Sequence, residues 1–110
     1  MNLQTVIAQN GPLPITATFS AESDAEMVMV VSGSVWSSAP GQWGGVQIML
    51  DGNVIGEAAV FFNEANSHRA FITTLIPVTV AFGQHTVDLA LVTNNTMIDA
   101  NDWLNVYLMY

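Results

Sequence analysis

The side chains able to do chemistry here are few: two histidines, nine carboxylates, three tryptophans, and serines and amides, with no cysteine and no lysine. His68 stands beside Arg69 in a polar stretch and reads as a solvated loop residue. His85 opens an alternating run, His85 to Val92, in which Val87, Leu89 and Leu91 share its face, and it reads as a strand-end residue satisfied by backbone. Neither has a serine and a carboxylate at motif spacing, and no Gly-x-Ser-x-Gly elbow occurs, so nucleophilic catalysis has no support. Carboxylate pairs of the glycosidase kind can be drawn from Glu57, Glu64 or Asp88, with His85 beside them, but any nine acids allow such pairs. The expectation is a non-enzyme without cofactor, with a small hydrolase or isomerase as the third reading.

A metal has one weak foothold. Asp99-Ala100-Asn101-Asp102 places three oxygen-bearing side chains within four residues, and hard cations such as calcium take carboxylate and amide oxygens. The spacing is not that of an EF-hand, and Asx-rich loops usually bond their own backbone, so Asp99, Asn101 and Asp102 are expected to make a turn. Zinc would need distant carboxylates to complete two histidines. No metal is expected.

The most suggestive stretch runs from Trp36 through Ser37, Ser38, Ala39, Pro40, Gly41, Gln42 and Trp43 to Gly45. Flat apolar rings beside amide and hydroxyl groups are how proteins hold sugar faces, so Trp36, Gln42 and Trp43 are the candidate ligand-binding residues, with a glycan as the candidate ligand. The plainer reading has both indoles plugging the end of the fold or a subunit interface. Asn94-Asn95-Thr96 matches a glycosylation acceptor but reads better as a turn.

The elements that must position these residues are strands. β-branched residues are frequent, Gly and Pro punctuate at short intervals, and period 2 dominates. Strands are expected at Leu3 to Ala8, Ile15 to Phe19, Glu26 to Trp36 (with Gly33 as a bulge or bend), Val46 to Leu50, Val54 to Phe62, Ala70 to Ile76, His85 to Val92 and Trp103 to Tyr110, with Val78 to Phe82 as a short apolar link or strand. Pro77 is expected to end one of them, and Asp51-Gly52 between two apolar runs signals a hairpin. With 110 residues the chain has room for one domain, 1–110. The fold class expected is all-β, an antiparallel sandwich of about eight strands, jelly-roll-like.

Apolar residues make up 51% and charged residues only 9%, where about 25% charged is usual. Part of the surface should therefore lie in an interface. Met27 to Val31 is apolar on both faces, and Trp103, Tyr107 and Met109 make an aromatic and thioether row, so Met27, Met29, Trp103, Tyr107 and Met109 are the expected interface residues of a homo-oligomer. The net charge of −8 argues against nucleic acid and anionic membrane surfaces. No apolar run reaches membrane-spanning length, and no signal peptide is evident at Met1, so the cytoplasm is the default compartment, with release in a particle as the exception.

Gly83-Gln84-His85-Thr86-Val87-Asp88-Leu89, followed by Asp102-Trp103-Leu104-Asn105-Val106-Tyr107-Leu108, resembles the last two strands of jelly-roll domains of the tumour-necrosis-factor and C1q type, including bacterial and phage relatives. Val46 to Leu50, Asp51-Gly52 and Val54-Ile55-Gly56 resemble the hairpin of the same plan. The resemblance covers the last two thirds of the chain and implies trimeric assembly; function does not transfer with it. Two readings lead: a homo-oligomeric recognition module, carbohydrate-binding through loop tryptophans, and a structural subunit of a phage or other particle.

Overall fold

Ten strands and no helix are present in the computed structural model, which describes residues 1–110. They are β1 (Leu3–Asn10), β2 (Ile15–Ala21), β3 (Ala25–Ser37), β4 (Gln42–Leu50), β5 (Asn53–Phe62), β6 (Arg69–Ala70), β7 (Thr74–Val80), β8 (Gly83–Leu91), β9 (Thr96–Met97) and β10 (Trp103–Met109). Eight are full strands, and β6 and β9 are two-residue bridges onto β3. The fold is the expected antiparallel sandwich with jelly-roll-like connections. One sheet runs β1-β10-β3 and continues to β7 along the first half of β3; the other runs β2-β8-β4-β5.

The core follows from alternation. Every second residue of β3, β7, β8 and β10 points between the sheets, giving a cluster of 22 buried apolar side chains that includes Met29, Val31, Ile48, Phe62, Leu89 and Leu108. Met27 and Met29 belong to this cluster and face the core rather than the outer side of the sheet, which corrects their expected place at an interface. Their strand is apolar on both sides, but the outward residues are the half-exposed Val28 and Val30.

The pairing of the long middle strand with β10 runs without a register shift up to Gly33, where that ladder ends. Glycine is required there because a Cβ would stand 2.4 Å from the Trp103 carbonyl oxygen. Pro77 lies inside β7, opposite Val28, rather than ending a strand. A proline is tolerated because β7 is an edge strand, where its missing N–H breaks no ladder. The expected hairpin forms: Asp51 and Gly52 both have positive φ, 52° and 83°, as a tight two-residue turn between twisted strands demands. β4 starts at Gln42, so much of the expected loop before Val46 is strand.

The connections gather at two ends. The upper end holds the loops 11–14, 38–41, 63–73 and 92–102, and the lower end holds 22–24, 51–52, 81–82 and both chain termini.

Candidate functional site

The two tryptophans of the Trp36 to Gly45 stretch end on different sheets. Trp36, near the end of β3, is half-buried and tilted against His68, with ring centroids 6.0 Å apart. Its indole N–H is buried without a partner. Trp43 lies on the outer face of the four-stranded sheet and is 55% exposed. Gln42 is exposed too, but as the neighbour of Trp43 along a strand it points to the other side of the sheet. The three candidate residues therefore do not form one site.

Trp43 instead meets Phe61, its cross-strand partner on β5, edge to face at 5.5 Å and 78°. Aromatic pairs favour this geometry, and here both rings remain open to solvent. Behind them on the same face come the pairs Gly45–Ala59 and Gln47–Glu57, so an aromatic row is followed by a small row and then a polar one. The backbone under Trp43 is fixed from the 92–102 loop: its carbonyl accepts from Asn95 Nδ2 at 2.9 Å and from Thr93 Oγ1 at 3.3 Å. Thr96, fully buried, accepts from Gly45 N–H, so Asn94-Asn95-Thr96 is a structural turn. Arg69 donates to the Phe61 carbonyl at 2.6 Å. With Asn63, Glu64 and Ser67, Arg69 also lines a polar hollow of about 270 Å³.

Phe61 and the Arg69 hollow escape the sequence reading for a traceable reason. Counting back from the Leu50–Asn53 pair places Trp43 opposite Val60. A bulge between Ile48 and Met49 shifts the register by one and brings Phe61 opposite instead. The signal that could have been used is the pair of adjacent aromatics, Phe61-Phe62, since in a strand only one of the two can enter the core.

His68 is not simply solvated. Its Nδ1 lies 2.7 Å from Oδ1 of Asp102, a carboxylate with no solvent exposure. The same oxygen accepts from Ser34 Oγ at 2.8 Å, and Oδ2 accepts from Asp99 N–H at 3.0 Å. That serine bonds the acid and not the histidine, so the three do not form a nucleophile–base chain. The bond to Asp102 raises the His68 pKa above its ordinary value. Asp99 Oδ1 caps Asn101 N–H, so Asp99, Asn101 and Asp102 make the expected self-bonded turn. His68, Asp99 and Asp102 do place one ligand atom each within 4.8 Å of one another, but the Asp102 oxygens are already engaged with protein donors.

At the lower end His85 Nδ1 meets Asp51 Oδ2 at 2.6 Å and Nε2 meets the Ala81 carbonyl at 2.7 Å. Both ring nitrogens face acceptors, an arrangement that favours the doubly protonated ring. Its pKa is raised, chiefly by the Asp51 bond, and that of Asp51 is lowered, chiefly by the same bond. Glu57 and Asp88 point out from the four-stranded sheet, whereas His85 lies on the opposite side of β8, so no cleft gathers them.

No protein-family model and no curated protein matches the sequence. Solved structures do match in fold. A chain of dimeric latent PorU from Porphyromonas gingivalis superposes with a TM-score of 0.60 at 11% identity, over 97% of this chain and 12% of that one. A family 35 carbohydrate binding module from an environmental isolate gives 0.51 at 7% identity, over 92% of this chain and 69% of the module. A family 35 module from Clostridium thermocellum gives 0.50 at 9%, over 94% and 90%. None of the three is a tumour-necrosis-factor or C1q domain. At these identities the likeness is one of fold: the jelly-roll-like sandwich stands, and the particular family named from the sequence does not.

Proposed function

We propose that this chain is a non-enzymatic recognition module that holds a carbohydrate on the outer face of its four-stranded sheet. The observation that carries this is the exposed Trp43–Phe61 pair, two solvent-facing rings held edge to face. Exposed aromatics on a rigid sheet cost little ordering entropy when a ligand stacks on them. Gln47, Glu57 and the Asn63, Glu64, Ser67 and Arg69 hollow supply directed hydrogen bonds around the platform. The fold it shares with two family 35 carbohydrate binding modules supports the reading. In this reading Trp36 and Gln42 drop out of the site. Self-association belongs to the same reading, and the outer face of the other sheet is its surface.

Retardation in native gels containing soluble plant and bacterial polysaccharides tests the proposal. At least one polysaccharide should slow the protein, and Trp43→Ala should weaken that binding at least about tenfold, equivalent to about 1.4 kcal/mol. Trp36→Phe should bind as the parent does. A folded Trp43→Ala variant that binds normally removes the platform from the site, and a parent protein that no polysaccharide or glycan array retains overturns the carbohydrate reading.

A further inference from the structure

The outer face of the β1-β10-β3-β7 sheet carries two rows in register, one apolar across all four strands and one interrupted only by Thr5 on β1. Leu3, Met109, Val28 and Pro77 form one cross-strand row, and Thr5, Tyr107, Val30 and Leu75 form the next. Leu3 and Leu75 stand 64% and 58% exposed. Next to these rows, the polar atoms are already paired among themselves: Asn105 Oδ1 accepts from Trp103 Nε1 at 2.8 Å and from Tyr107 Oη at 3.1 Å. Covering this face would thus strand few donors, and the desolvation penalty is small.

We infer that a second copy of this chain docks here, the two sheets meeting face to face about a two-fold axis. Charge selects that occupant. Among side chains, the face carries no cation and only one carboxylate, Glu26, at its rim. A partner of opposite charge finds nothing to pair with, while two copies meet without stacking the remaining acids of a −8 chain against each other. Extent agrees as well. Four strands about 4.8 Å apart, over some seven residues each, offer roughly 700 Å² of accessible surface once side-chain relief is counted. A standard interface buries about 800 Å² per partner. A hollow of about 600 Å³ at the lower end, walled by Met1, Val28, Pro77, Met109 and Tyr110, gives a protruding apolar side chain of the partner somewhere to go. A flat face of this kind is self-complementary in an isologous pair, the commonest symmetry.

The arrangement has a functional consequence, which rests on the carbohydrate reading. The two sheets lie back to back, so a dimer formed through one leaves both Trp43–Phe61 platforms on its far sides. Such a dimer is bivalent, and its avidity for a polysaccharide exceeds the affinity of either platform.

Light scattering on a sizing column, across a hundredfold concentration range, decides the matter. The parent should approach twice 11.8 kDa. Leu75→Glu, an exposed change on an edge strand, and Val30→Asp at the centre of the face should each raise the dissociation constant at least about tenfold. Leu75→Glu should leave the thermal midpoint of the monomer unchanged, which keeps the test open if Val30→Asp misfolds. The Leu75→Glu monomer should still bind the polysaccharide on which Trp43→Ala fails, yet no longer cross-link it. A parent that is monomeric throughout, trimeric, or dimeric regardless of Leu75→Glu overturns the docking face, whatever Trp43 binds. A dimer abolished by Leu75→Glu that no glycan touches leaves the face standing and removes the carbohydrate reading instead.

Discussion

Each end of the sandwich is fastened by a histidine bonded to a carboxylate, and the two ends bury opposite partners. At the upper end the acid is inside: Asp102 has no exposure, while the His68 side chain is 40% exposed. At the lower end the base is inside: the His85 side chain is 12% exposed and that of Asp51 is 45%. A buried carboxylate persists only where donors satisfy it, and Asp102 has three, from Ser34, His68 and the Asp99 backbone. These donors come from β3, the 63–73 loop and the 92–102 loop, so one oxygen pair fixes the loops beside Trp36 and Trp43. At the lower end Asp51 is a turn residue that orients His85 and also accepts from Thr86 N–H at 2.8 Å. The stacked ring of Phe19, 5.4 Å away, covers the imidazolium on one side. The upper fastening is thus a node of the fold, and the lower one a clasp on a hairpin that would form without it.

Asp102→Ala should therefore have the largest effect of any change at either end. It removes a fully buried acceptor shared by Ser34, His68 and the Asp99 N–H, and about 2–4 kcal/mol of stability should go. Denaturant unfolding reads this directly. Asp102→Asn keeps the shape but turns one acceptor into a donor that faces other donors, and should recover only part of the loss. If Asp102→Ala costs no more than the same change at Asp51, the distinction between node and clasp collapses.

Asp51→Asn should cost less, about 1 kcal/mol or under. Asparagine tolerates the left-handed backbone at this position, φ 52°, and keeps an oxygen for the Thr86 N–H, so only the charged bond to His85 is weakened. Asp51→Ala, which loses both the acceptor and the conformational tolerance, should cost more than Asp51→Asn in the same denaturant series. Equal costs would mean that the clasp matters through its charge alone.

How much of this was legible beforehand varies with the range of the interaction. Alternation along His85 to Val92 and Trp103 to Tyr110 gave two core strands, and Asp51-Gly52 gave the hairpin, because both signals act within a few residues. Local reading missed what depends on pairing. The bulge at Ile48–Met49 decides that Trp43 meets Phe61, and nothing in the residue types around it announces a shift. Pro77 was misread because its tolerance depends on β7 being an edge, a fact of sheet order. Met27 and Met29 were misread because a strand apolar on both faces does not say which face is the core. His68 reads locally as a solvated residue because Asp102, 34 positions away, is what holds it.

The smallest effect is the most diagnostic of the two fastenings. Both histidine pKa values are raised in the fold, that of His68 chiefly by the Asp102 bond and that of His85 chiefly by the Asp51 bond. A raised value means the folded state holds the proton more tightly than the unfolded chain. The stabilisation is complete below the ordinary histidine value near 6.5 and is lost as pH climbs through the folded values. Asp51, lowered from 3.8, works in the other sense: its contribution is present above that value and lost as pH falls through the folded one. The thermal midpoint should accordingly be highest between about pH 4.5 and 6.5 and fall by a few degrees on going to about pH 9. Solvent screens the more exposed His68 further, so His85 should supply the larger share of that fall. Midpoints measured at about pH 6 and pH 9 separate the two, since Asp51→Asn should flatten the difference more than His68→Gln does. A parent protein whose midpoint does not change over this interval would mean that the folded and unfolded chains hold the histidine protons equally tightly, so that neither bond to a carboxylate adds pH-dependent stability.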